Sequence, residues 1–292
     1  MVTLALVGAG AWGRNYLATA KRIAGAQIKH IVAAHAKSAA PYASEYRVST
    51  DIAELPRDIG GVILATPAKT HYALAKQLLA RGYNLLIEKP LTTSAAEARE
   101  LANLWRKGRS KVLVGHLWLY NPAYRCLKSE LRTLGRLRKI SFKGAVSPPR
   151  KDVSVLWDWG PHPASLLLDL IHEPIAKISA SDSPEHVQFS IRYESSLTAE
   201  IDIAWTGDEK KRELAIEGEN GTITLDDTKK KQKVRLERRN TAISFPEYDA
   251  RSPLEVELEE FVRAIKGEGQ ITSDMETGVR VTELLANIEQ QL

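Results

Sequence analysis

As far as Gly115, short apolar runs alternate with longer amphipathic stretches. Thr3 to Val7 precedes Trp12 to Ile23, and Gln27 to Ala33 precedes Ala39 to Tyr46. Gly61 to Ala65 leads into His71 to Arg81, Tyr83 to Ile87 leads into Ser94 to Lys107, and Lys111 to Gly115 closes the series. Alternation of strand and helix predicts a doubly wound parallel sheet with helices on both faces, an α/β domain. Its strands are short apolar runs bounded by Gly and Pro, as strands buried on both faces must be.

After Pro122 the pattern changes. Leu127, Leu131 and Leu134 stand at helical spacing between Pro122 and Leu134, and Leu137 to Val146 reads as a long strand. An apolar helix over His162 to Ile171 precedes six extended runs: Ala176 to Ser181, His186 to Tyr193, Leu197 to Trp205, Arg212 to Glu217, Thr222 to Leu225 and Lys233 to Arg238. Consecutive strands predict antiparallel pairing, hence an α+β domain with an open, mostly antiparallel sheet. Two helices, Leu254 to Lys266 and Met275 to Gln290, close the chain. The expected division is Met1–Leu119 for the first domain and Tyr120–Leu292, closing helices included, for the second. The one loop long enough to be functional runs from Val146 to Val155.

Composition narrows the class. With 292 residues, 43% hydrophobic and 26% charged, the chain is long enough for two domains and sits near globular averages. No stretch has the roughly 18 consecutive apolar residues of a membrane span, so a membrane role is not expected. The apolar N-terminus lacks the basic region and small-residue cleavage site of a signal peptide, which predicts a cytoplasmic protein. A single cysteine, Cys126, allows neither an internal disulfide nor a cysteine zinc site, so no metal is expected. The net charge of +5 is too mild to imply nucleic acid. The dense basic run at Lys229, Lys230, Lys231 and Lys233 lacks interleaved aromatics and reads as a solvated strand and turn.

The candidate chemistry begins at Gly8-Ala9-Gly10-Ala11-Trp12-Gly13. This is GxGxxG between an apolar strand and a helix, the context of a dinucleotide fingerprint: Gly8 turns, Gly10 admits the pyrophosphate and Gly13 packs closely. An NAD-selective site carries an acid about 20 residues further on. Here the second strand runs into Ala34-His35-Ala36-Lys37-Ser38, and His35, Lys37 and Ser38 suit the 2′-phosphate of NADP, which is favoured over NAD. Glu88-Lys89-Pro90 follows the strand ending at Ile87, at the carboxyl edge of the sheet where open α/β folds bind ligands. His116 and Tyr120, just past the last parallel strand, are candidates for substrate contact or for packing.

With Ala65-Thr66-Pro67, His71, Glu88-Lys89-Pro90 and Asp158-Trp159-Gly160-Pro161-His162 added to the glycine motif, the chain resembles the Gfo/Idh/MocA oxidoreductases, the glucose-fructose oxidoreductase and inositol 2-dehydrogenase family. Val114 to Ala123 and Val155 to Asp158 are similar to its bacterial sugar and nucleotide-sugar dehydrogenase group. The resemblance implies a Rossmann domain that binds NADP or NAD through Gly8, Gly10, Ala11, Trp12, Gly13, Thr66, Pro67, His71, Glu88 and Lys89. It also implies that Lys89 and His162 face the substrate carbon, with Asp158 orienting or assisting. The chemistry agrees, since oxidising a secondary alcohol needs a base for the hydroxyl proton as hydride leaves. Ser165 stands where relatives often carry Asp, and Ala68 where Asn is usual. The implied substrate is a sugar, cyclitol or nucleotide sugar. The alternatives are a reductase of another carbonyl or an imine, and a non-catalytic dinucleotide sensor. An open sheet with a face to cover predicts a homodimer or homotetramer.

Overall fold

In the computed structural model, which describes residues 1–292, the apolar runs near the N-terminus pair side by side. β1 (Val2–Val7), β2 (Ala26–Val32), β3 (Arg47–Ser49), β4 (Gly61–Leu64), β5 (Leu85–Glu88) and β6 (Val112–Gly115) form a parallel sheet in the order β3-β2-β1-β4-β5-β6. Every position of β4, β5 and β6 is buried, as strands covered on both faces require. α1 (Ala11–Ala20), α3 (His71–Ala80) and α4 (Ala95–Arg106) supply the crossovers. The strand order reverses between β1 and β4, so a crevice opens at their carboxyl ends, the usual ligand position in such sheets.

The stretch Ala39 to Tyr46, expected to be a helix, divides instead. A single turn, α2 (Ala36–Ala39), gives way to a 3-10 turn at Ala40–Tyr42, where Pro41 offers no amide hydrogen to continue an α-helix. β3 follows, and its three residues are too few to show a period in the sequence.

A second sheet has seven strands: β7 (Leu137–Ala145), β8 (Ile175–Ser183), β9 (His186–Tyr193), β10 (Thr198–Ala204), β11 (Lys211–Gly218), β12 (Gly221–Asp226) and β13 (Val234–Arg238). Their order is β13-β12-β11-β7-β10-β9-β8. One face is apolar and buried: Val187, Phe189, Ile191 and Tyr193 alternate with Gln188, Ser190 and Arg192 along β9. α5 (Pro122–Glu130), α6 (Val155–Trp159) and α7 (Pro161–Leu170) belong to the same unit. The pairing is not antiparallel throughout, because β7 and β10 run parallel. The two helices and the β8–β9 hairpin between them form the long crossover that parallel neighbours need.

The closing helices correct the expected division of the chain. The two units are Met1–Leu117 with Ser252–Thr282, and Trp118–Arg251 with Glu283–Leu292. α8 (Pro253–Ile265) begins in a capping box between Ser252 and Glu255 and is bound to α1 by Arg22 Nε and Glu255 Oε1 at 2.9 Å. Gly61 leaves the space that Ile265 and Phe261 fill. The start of α9 (Met275–Glu289) puts Met275 and Val279 into the core of the parallel sheet with Leu91 and Val114. An amphipathic stripe shows that a helix has a partner but not which one, so the sequence reading assigned α8 and the first half of α9 to the wrong unit. No helix is long and apolar enough to cross a membrane.

Candidate active site

The glycine motif forms the turn from β1 into α1. Gly8 has φ +97°, and a Cβ there would lie 2.5 Å from the Ala65 carbonyl oxygen, so only glycine fits without strain. A Cβ on Gly13 would lie 2.0 Å from the Gly8 carbonyl oxygen. Gly10 differs, for nothing lies within 4 Å of the position a Cβ would take. It is the N-cap of α1 and carries no side chain to cap it. The first amides of the helix therefore face open space, which is what a pyrophosphate requires. The Tyr42 hydroxyl donates to the Ala9 carbonyl at 3.0 Å and braces the turn.

Opposite the glycines, Thr70 Oγ1 lies 2.7 Å from Thr66 Oγ1. His71 is buried, with Nδ1 2.8 Å from the Pro90 carbonyl oxygen and Nε2 2.9 Å from that of Thr66. It joins the loop after β4 to the loop after β5, a bracing role. Ala34 to Ser38 are exposed beyond β2, with His35 as N-cap of α2 and no acid among them.

Glu88 ends β5, and its buried carboxylate gathers the surrounding groups. Oε1 accepts the Trp12 indole N–H and lies 2.6 Å from the Tyr16 hydroxyl, while Oε2 accepts the Lys89 backbone N–H at 3.2 Å. Trp12 and Tyr16 are four apart on α1 and share a face. Burial pushes the Glu88 carboxyl above its ordinary value, while Tyr16, Trp12 and the Lys89 charge oppose that shift. His116, at the end of β6, is fully buried with Nδ1 2.7 Å from Ser273 Oγ. Burial, helped by the Lys89 charge, lowers its pKa to about 3, so its ring is neutral.

In the second unit, His162 lies in the first turn of α7 and Asp158 in α6. Trp159 meets the His162 ring edge to face at 5.9 Å, and Arg212 lies over the Trp159 ring. Gly144 leaves the room this indole needs, since a Cβ there would lie 2.6 Å from it. Asp158 Oδ2 accepts from Trp205 Nε1 at 2.9 Å, and Oδ1 faces Arg150 Nη1 at 3.4 Å. Arg150 also binds Asp152, at 2.7 Å. The carboxylate thus anchors the Val146 to Val155 loop, a link the sequence did not show. Tyr120 is fully buried beneath the Arg125 guanidinium.

A family model described as "Oxidoreductase family, NAD-binding Rossmann fold" matches residues 2–116. A crystal structure from Magnetospirillum magnetotacticum MS-1, named as an oxidoreductase of inferred activity, superposes with a TM-score of 0.87 and 30% identity over 98% of both chains. The chain belongs to the Gfo/Idh/MocA oxidoreductase family. Among curated members of the Gfo/Idh/MocA family, 4-carboxy-2-hydroxymuconate-6-semialdehyde dehydrogenase of Sphingobium sp. is 28% identical over 66% of each chain. UDP-N-acetylglucosamine 3-dehydrogenase of Acidithiobacillus ferrooxidans is 27% identical over 56% of this chain and 52% of its own. The matched part thus spans about half to two thirds of these relatives. The crystal structure of the Acidithiobacillus enzyme has the same fold, with a TM-score of 0.89 at 21% identity over 99% of this chain and 97% of that one.

Gly8, Gly10, Trp12, Gly13, Thr66, His71, Glu88 and Lys89 stand together in the first unit. Asp158 and His162 stand in the second unit. The open space at Gly10 and the free end of α1 fit a dinucleotide. Sequence reasoning missed Tyr16, Tyr42, Arg150 and Trp205. Only Tyr16 carried a signal, its position four residues after Trp12.

Proposed function

We propose that the protein is an oxidoreductase that moves hydride between NADP or NAD and a secondary alcohol or ketone of a sugar, cyclitol or nucleotide sugar. The observation that carries this reading is the Glu88 carboxylate, bonded at once to Trp12 of the glycine cradle and to the Lys89 main chain. A dinucleotide bound there supplies the hydride acceptor or donor. The amides at the start of α1 take the pyrophosphate, and His35, Lys37 and Ser38 take the 2′-phosphate that makes NADP the favoured form. Thr66, Pro67 and His71 form the wall of the cofactor pocket. Lys89 Nζ places positive charge at the substrate oxygen, and His162 removes the hydroxyl proton as the carbon gives up hydride. Asp158, held by Arg150 and Trp205, keeps a negative charge in that part of the second unit. His116 and Tyr120, both fully buried, take the packing role of the two that the sequence left open, and self-association as a homodimer or homotetramer belongs to the same reading.

The similarity to a semialdehyde dehydrogenase supports a second reading, in which the same groups work on a carbonyl that is not part of a sugar. Single-turnover hydride transfer, followed at the nicotinamide absorbance with a panel of sugars, nucleotide sugars and semialdehydes, separates the two. Lys89→Ala and His162→Ala should each slow it by about 10²- to 10⁴-fold and leave dinucleotide binding intact. Wild-type rates in both variants would remove Lys89 and His162 from the chemistry, whereas no turnover of any substrate would leave a dinucleotide sensor as the reading.

A further inference from the structure

The Tyr16 hydroxyl touches two carboxyl groups. It lies 2.6 Å from Glu88 Oε1 and 2.8 Å from Oε1 of Glu257, a residue of α8 with 0% exposure. A phenol has one proton, so it can donate to only one of them. The other contact is a hydrogen bond only if that carboxyl brings a proton of its own. Two buried carboxylates meeting at one oxygen would repel, and one of them must be neutral.

The surroundings say which. Glu88 accepts N–H groups from Trp12 and from the Lys89 backbone and stands beside the Lys89 charge. Three interactions favour its ionised form. Glu257 has no such support. Its Oε2 is buried without a hydrogen-bond partner, and its charged neighbours, Glu88 and Glu260, are both acidic. A carbonyl oxygen left without a donor costs less than a buried carboxylate oxygen in that position. Burial and the Glu88 charge both push the Glu257 carboxyl well above the usual range, and burial with the two carboxyls does the same to the Tyr16 phenol.

We propose that Glu257 is a neutral carboxylic acid at physiological pH and a positioning residue for the hydride-transfer site. Its O–H donates to Tyr16, Tyr16 donates to Glu88, and Glu88 is thereby held ionised on Trp12 and on the main chain of Lys89. The chain of donors has one direction, from α8 through α1 to the end of β5. Gly115 makes room for it, since a Cβ there would lie 3.3 Å from Glu88 Oε2. The returning C-terminal segment thus does more than cover the sheet, because it sets the carboxylate that joins the cofactor cradle to Lys89. This deepens the function proposed above and rests on it for the role of Lys89.

Infrared difference spectroscopy tests the proton directly and needs no turnover. At neutral pH the wild type should show the carbonyl stretch of a protonated carboxylic acid, which Glu257→Gln should remove and Glu88→Gln should not. Glu257→Gln, whose amide can donate to Tyr16 as the acid does, should keep dinucleotide affinity within about twofold, since the hydrogen bond is retained. Tyr16→Phe should weaken it about tenfold, the loss expected when the buried, charged Glu88 is deprived of one hydrogen bond, and Glu257→Leu should weaken it by less, about threefold, because Tyr16 loses the bond that fixes it while keeping its own bond to Glu88. A wild type without the band, a band that survives Glu257→Gln, or affinity unchanged in both Tyr16→Phe and Glu257→Leu would overturn the inference. Tyr16→Phe changes no packing volume beyond one oxygen and keeps the test decisive should Glu257→Leu fail to fold. The band with failed hydride transfer would instead count against the proposed function alone.

Discussion

The glycine cradle yields the sharpest prediction, because its glycines differ in what surrounds them. A Cβ at Gly13 would stand 2.0 Å from the Gly8 carbonyl oxygen, whereas at Gly10 it would meet nothing within 4 Å. Alanine for glycine inside a helix ordinarily gains about 0.5 to 1 kcal/mol. Overpacking costs about 1 to 3 kcal/mol, and a clash with backbone this close takes the upper value, so Gly13→Ala should lose a net of about 2 to 2.5 kcal/mol, roughly 4 to 10 °C in melting temperature. Gly10 has φ −71° and ψ −163°, a conformation open to any residue, and Gly10→Val should cost only the N-cap preference, about 0.5 to 1 kcal/mol. The valine would instead occupy the space a pyrophosphate needs. Loss of that contact should weaken dinucleotide binding by at least about a hundredfold, or roughly 2.8 kcal/mol. Thermal unfolding and dinucleotide titration by calorimetry, run on both variants, check the two halves. Wild-type affinity in a folded Gly10→Val protein would refute the reasoning, as would a melting temperature lowered as far as that of Gly13→Ala.

Two further outcomes follow from the same unit. NADP should bind more tightly than NAD, and Ala36→Asp should reverse the order by placing a carboxylate where it meets the ribose 2′-hydroxyl and repels a 2′-phosphate; tighter NAD binding by the wild type in titration would reverse the assignment. His116 stays neutral in the folded protein down to about pH 3, whereas the unfolded chain takes up that proton near pH 6.5. Its contribution is therefore present above pH 6.5 and is lost as pH falls from there toward 3, at up to about 1.4 kcal/mol per pH unit. His116→Asn should flatten that part of a urea-melt pH profile, and an unchanged slope would place the linkage on another group.

Local pattern alone was enough to read the parallel sheet, the glycine turn, Glu88-Lys89 at the end of β5, and the helix that carries His162. In each case neighbours along the chain impose the outcome: a period of hydrophobic positions, a φ that only glycine adopts readily, or a proline at a helix start. Contacts between distant segments had no such trace. The return of Ser252–Thr282 to the first unit, the parallel pairing of β7 with β10, and the junction of Arg150 and Trp205 on Asp158 all depend on which apolar face or charge meets which. Glu257 shows the difference most plainly. In the sequence it is one acid among several on an amphipathic helix, with every reason to be charged and solvated. Burial against Tyr16 and Glu88, 241 and 169 positions away, leaves it no counter-charge, and tertiary structure alone decides that it keeps its proton.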